Sequence, residues 1–221
     1  MGRNGKLFAS IISTPDFIPS VWDPYVYRSE GESHTLSEFA DIRKVTAKSD
    51  PYQRFPFQPI EYRDIPGGSY LSFMLRPAQN YAVSDNKLPA VSEGEILFGT
   101  MRAYLGNIIV TPLAEWLNQE PPVYFSVKSE FAVVSPRDRL TYFWLAYMRS
   151  RHFLENLPIG AGGTRPRLQP QALGQTPVRV PPVKAREKIH KELEVLAKRE
   201  WENYSRTLST LDLLNSLVKG L

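Results

Sequence analysis

The chain has 221 residues, 42% of them hydrophobic and 23% charged, a balance that supports a packed core and excludes an intrinsically disordered chain. It contains no cysteine, which excludes a disulfide framework, a thiolate metal site and a cysteine nucleophile. The net charge is only +4, but it is unevenly spread: residues 137–221 carry 15 Lys/Arg against 8 Asp/Glu, and residues 1–136 carry 12 against 15. A basic C-terminal part suits a polyanionic partner, and equally a solvated basic surface. No apolar run reaches the roughly 20 residues needed to cross a membrane. Leu7 to Ile12 is too short for a signal-peptide core, so a cytoplasmic location is expected.

Residues 1–90 are rich in Pro, aromatics and turn signals such as Ser13-Thr14-Pro15-Asp16, Pro66-Gly67-Gly68 and Ser84-Asp85-Asn86. Thr35 to Lys44 fits a short helix or a strand, and Ile60 to Ile65 reads as a strand running into the Pro66-Gly67-Gly68 turn. Gly94 to Gly99 and Leu105 to Thr111 read as two strands of a hairpin around Thr100 to Tyr104. Tyr124 to Val127 and Phe131 to Val134 are further strand candidates. The spacing of aromatics and aliphatics predicts a helix over Thr141 to Leu157, with Ser150 and Arg151 on its solvent side. Gly160 to Gly163 is a loop, and Gln175 to Val180 a short strand closed by Pro181-Pro182.

From Val183 glycine and proline vanish until Gly220. Apolar residues recur at Ile189, Leu193, Leu196, Tyr204, Leu208, Leu211, Leu214, Val218 and Leu221, a stripe that Glu200 and Trp201 break once. This predicts one amphipathic helix of roughly 55 Å at about 1.5 Å per residue. The expected class is therefore α+β: a mixed, β-rich domain over residues 1–181, then a long coiled-coil-like helix over 182–221. The stripe can pack back on its own domain or against a second chain. Its continuation to the last residue favours the second chain.

No catalytic constellation emerges. Glu120-Pro121-Pro122-Val123-Tyr124 lacks the amide or short carboxylate, and the aromatic directly after the prolines, that an amino-methyltransferase motif needs. Gly160 to Gly163 lacks the lysine of a phosphate-binding loop, and no nucleophile elbow is present. His34, His152 and His190 are scattered, so no metal site and no cofactor are expected.

Three stretches do carry chemistry. In Gly94 to Asn107, two strands would place Arg102 and Tyr104 at one edge. In Gly162-Gly163-Thr164-Arg165-Pro166-Arg167-Leu168, glycine allows close approach of a backbone to phosphate. There Thr164 can donate to a phosphate oxygen, and Arg165 and Arg167 can fork onto phosphate or guanine. Leu173 to Ile189 is a strand, a diproline and a helix start.

These stretches resemble the target-recognition domain of type I restriction-modification specificity subunits. That family has a G-D/E-I-L opening, a G-x-T-R-P-R-L loop and an L-x-x-x-P-V/I-x-x-P-P strand before its spacer helix. Trp22-Asp23-Pro24-Tyr25 and Phe57 to Pro66 also match, less specifically. The Glu-Gln pair that usually opens the helix is replaced here by Lys184-Ala185-Arg186-Glu187. The resemblance implies a non-catalytic reader of double-stranded DNA on which methyltransferase and restriction subunits dock. Since the family pairs two such domains through two helices, it implies a half-length form that dimerises and reads a bipartite symmetric site. The candidate DNA contacts are Arg63, Arg102, Tyr104, Lys128, Gly163, Thr164, Arg165 and Arg167. The candidate dimer contacts are Ile189, Leu193, Leu196, Tyr204, Leu208 and Leu211. The competing reading is a protein-interaction scaffold that keeps the fold without reading DNA.

Overall fold

The computed structural model describes residues 34–45, 57–65, 71, 73, 90–119, 124–127, 129–158 and 166–219. It is an α+β molecule with a long C-terminal helix. The centre is a four-stranded antiparallel sheet in the order β2 (Ala40–Lys44), β8 (Phe131–Pro136), β5 (Ile96–Gly99), β6 (Ile108–Val110). All of β5 and β6, and β8 as far as Val134, are buried. Their β-branched and aromatic runs suit a strand covered on both faces. A three-stranded sheet joins β3 (Phe57–Ile60) in parallel and β4 (Ala90–Ser92) antiparallel to β7 (Tyr124–Val127). A two-residue β1 (His34–Thr35) pairs with β9 (Pro177–Val178).

Several sequence expectations shift in detail. Thr35 to Lys44 is both alternatives at once: a single helical turn α1 (Leu36–Phe39) leads directly into β2. The strand expected over Ile60 to Ile65 ends at Ile60, and Tyr62–Asp64 is a 3₁₀ turn. The buried Asp64 carboxylate turns the chain there by accepting the Glu61 N–H at 2.8 Å. The helix expected over Thr141 to Leu157 is two, α2 (Thr141–Arg149) and α3 (Arg151–Glu155). Ser150 adopts an extended backbone between them, and its hydroxyl accepts the Phe153 N–H at 3.2 Å as an N-cap. A short α4 (Pro170–Gly174) starts on a proline and precedes β9.

Helix α5 (Val183–Lys219) carries the main correction. Its row of Arg186, Ile189, Leu193, Ala197, Trp201 and Ser205 is buried against the chain's own domain. Ile189 and Leu193, expected at a dimer interface, are only 3% and 4% exposed within the single chain. Leu196 and Tyr204 are half-buried on the same core. Trp201 does not interrupt the stripe but centres it. Its ring meets Phe73 edge-on at 5.0 Å and Tyr204 at 5.5 Å. Truncating such a residue typically costs about 3–5 kcal/mol, so this tryptophan anchors the helix. The side chains of Leu208 and Leu211 lie outside the described residues.

Helix α2 lies between the sheet and α5. The Tyr142 N–H donates to Nδ1 of His190 at 3.2 Å, and the other ring nitrogen faces Glu194 at 3.8 Å. Burial holds the His190 pKa below the usual 6.5, against the pull of Glu194 and Asp138. As pH falls the unfolded chain takes up the proton first. The stabilisation from a neutral His190 is therefore complete above the unfolded value, near 6.5, and is lost as pH drops through the lower folded value. Urea unfolding across that range should show stability falling with acid, and His190→Gln should flatten the fall; equal slopes in the two proteins would refute the assignment.

Candidate nucleic-acid interface

The β5–β6 hairpin ends in a turn that backbone hydrogen bonds hold in one shape. Ala103–Leu105 form a 3₁₀ turn bracketed by two left-handed residues, Arg102 at φ 50° and Gly106 at φ 66°. A left-handed arginine is strained by roughly 1–2 kcal/mol, so its surroundings must hold it. They do so with backbone bonds: Leu105 N–H to the Arg102 carbonyl at 2.9 Å, and Arg102 N–H to the Pro166 carbonyl at 3.0 Å. The segment 166–168 runs beside the tip as a short antiparallel bridge, Met101 opposite Arg167. Leu168 N–H closes it on the Thr100 carbonyl at 2.9 Å.

Beneath this bridge lies Tyr62. Its phenol oxygen accepts the Met101 N–H at 3.0 Å and directs its proton to the carbonyls of Met101 and Glu130, at 3.2 and 3.3 Å. Burial pushes the phenol up to about 12, with the Glu130 charge adding to the rise and the Met101 bond and Arg167 opposing it. The hydroxyl is thus a permanent donor at working pH. Gly99 is required at the opposite wall, because a Cβ there would stand 2.5 Å from the Tyr62 oxygen and 2.7 Å from the Asn107 carbonyl. The sequence signal for Tyr62 was that glycine, since a glycine inside a strand marks a close approach. Sequence reading missed it because the partner lies 37 residues upstream.

The structure therefore brings Arg102, Tyr104 and Arg167, chosen from two separate stretches, to one exposed edge. Arg167 has Glu130 within 4.0 Å, a half-exposed pair. Such pairs contribute about 0–1 kcal/mol, little enough for a phosphate to replace. Arg63, next to the Tyr62 support, is exposed and paired with Glu61 at 2.9 Å. Lys128, Gly163, Thr164 and Arg165 lie outside the described residues. Among the described residues no group of three His, Asp or Glu is placed to hold a metal ion, and no helix is long and apolar enough to cross a membrane.

No protein-family model and no curated protein matches the chain. Among solved structures it is similar to a chain from work on complex assembly and conformational transition of the type I R-M system. There the TM-score is 0.48 and the identity 16%, over 92% of this chain and 47% of that one. It is also similar to the HsdS subunit from Thermoanaerobacter tengcongensis, with TM-score 0.49 and 18% identity, over 85% of this chain and 46% of that one. The chain spans about half the length of each.

If Tyr62 supports the tip, Tyr62→Phe strands the Met101 N–H and should lower unfolding free energy by about 1–3 kcal/mol. Amide exchange at Met101 and Arg102 should rise more than at Ile96 or Val133. Uniform exchange with unchanged stability would show that the phenol is incidental.

Proposed function

We propose that this chain reads double-stranded DNA without acting on it chemically, as a one-domain specificity module of a type I-like restriction-modification or related defence system. The observation that supports this reading is the backbone bridge between Met101 and Arg167. It sets two arginines and a tyrosine from distant stretches on one rigid edge. A two-stranded ribbon is narrow enough for the major groove of a duplex, about 12 Å wide. Exposed arginines can take phosphate contacts for register or guanine contacts for sequence. Modification subunits, and restriction subunits where present, are the proposed docking partners.

Dimerisation belongs to the same proposal, with one change of residues. Ile189, Leu193 and their row are buried within the chain. Pairing therefore falls to the distal part of α5, beyond Ser205, through Leu208, Leu211 and the apolar positions that follow. Two copies joined there would present two tips in two-fold symmetry and read an interrupted palindrome.

Arg165→Ala with Arg167→Ala should weaken duplex binding by about tenfold or more, since one base contact is worth about 1–3 kcal/mol. A phosphate role would appear as an equal loss on all sequences and a shallower salt dependence. Undiminished binding in a titration at several salt concentrations would reject this edge as the DNA site. Separately, light scattering should find a dimer at micromolar concentration, and a folded monomer for Leu208→Asp with Leu211→Asp. A wild-type monomer would reject the dimer and leave DNA reading standing.

A further inference from the structure

Tyr104 and Leu105 are 60% and 56% exposed, the two most exposed large hydrophobic side chains among the described residues. The other two, Val183 and Val195, stand apart on α5. Adjacent exposed apolar side chains on a mobile loop would mean little, but this turn is held. Arg102 and Gly106 bracket it in left-handed backbone, and three hydrogen bonds of 2.8–3.0 Å close it: Leu105 to Arg102, Gly106 to Ala103, and Ile108 to Gly106. Leu154 of α3 lies under Gly106, where a Cβ would come within 3.1 Å of it. The fold keeps an apolar pair in water at the end of a rigid two-stranded ribbon, beside Arg102 and Arg167.

An apolar side chain gains nothing from a phosphate. On the wall of a duplex groove the apolar group on offer is the C5-methyl of thymine, which is displayed only in the major groove. The flanking arginines suit the phosphates that border that groove. We propose that the Tyr104–Leu105 pair reads thymine, with Leu105 packing on the methyl group while Arg102 and Arg167 set the register. This deepens the DNA-reading proposal and rests on it.

The test uses the full chain and duplexes it retains from a random library. In each retained duplex, thymines are replaced by uracil one at a time, which removes the methyl and keeps the pairing. At one or two positions the wild-type protein should lose about four-fold in affinity, the fold-change that corresponds to one buried methyl group at about 0.8 kcal/mol. Leu105→Ser, an exposed change whose folding is checked by its thermal midpoint, should bind the thymine and uracil duplexes alike. Arg167→Ala should weaken both and leave their ratio intact. Indifference of the wild type to uracil at every position overturns the thymine reading alone, as does a thymine preference that survives in Leu105→Ser. A Leu105→Ser protein that binds as wild type but changes mass in light scattering assigns the tip to self-contact and also overturns it. Failure to retain any duplex defeats the DNA-reading proposal itself, and the thymine reading with it.

Discussion

One carbonyl organises the exposed edge. The Glu130 oxygen, at the turn between β7 and β8, receives the Thr100 N–H at 2.7 Å, the Thr100 hydroxyl at 2.7 Å and the Tyr62 phenol at 3.3 Å. A carbonyl has two lone pairs, so three donors converging on it fix their positions relative to one another. Thr100 then passes the constraint on, because its own carbonyl accepts Leu168 N–H at 2.9 Å. The end of β5, the 3₁₀ turn after β3, the β7–β8 turn and the return segment at 166–168 are thereby tied at one point. That point adds to the bonds within the turn, which by themselves fix the shape of the tip but not its place on the sheet.

The same economy appears in α5. Helix α5 is 37 residues long, and its burial is described as far as Ser205 and its immediate neighbours. The described row from Arg186 to Ser205 faces the chain's own core, which is why the proposed pairing is assigned to the positions after it. The choice of row follows from side-chain size. Ala197 lets the helix approach the domain closely, and Trp201, one turn later, fills the space beside Phe73. A helix so anchored cannot also offer Ile189 and Leu193 to another chain, because exposing them would forfeit about 1.5–3 kcal/mol each.

Much of this was legible in the sequence. The β5–β6 hairpin, β7, β8 and the start of α5 were visible because short apolar runs, β-branching and the Pro181-Pro182 stop are local signals. The stripe on α5 was visible too, but not its correct row. Leu196 and Tyr204 form one set of three-and-four steps, Ala197 and Trp201 another, and an alanine carries too little hydrophobic signal to favour its own set. What decides between rows is the shape of the opposing surface, which no helical wheel contains. Tyr62 was hidden for a related reason: its role is defined by Gly99, Met101 and Glu130, all distant in the chain. Ser150 was read as a solvent-side position within one continuous helix, since an N-cap inside a continuous apolar pattern looks like a polar position on the wet face; the structure breaks the helix there.

The ties between the exposed edge and the helix bear on whether α5 can act as a spacer. Arg149, at the end of α2, donates to the Ile108 carbonyl at the foot of the hairpin tip, its Nε at 2.8 Å. Burial brings its pKa down to about 10, opposed by Glu200, so the guanidinium stays charged at neutral pH. At the other end of α2, Asp138 accepts from Leu140 N–H at 3.1 Å, from Trp144 Nε1 at 3.0 Å and from the Arg186 guanidinium of α5. Apolar packing alone tolerates small slips and rotations. Directional bonds at both ends of α2 do not, and a charge-assisted bond lost from a site of this kind costs about 1.5–3 kcal/mol. The tip is therefore locked to the helix through α2 rather than merely resting near it. The proposed dimer requires each edge to be fixed to its own helix, and this pair of polar clamps supplies that fixity.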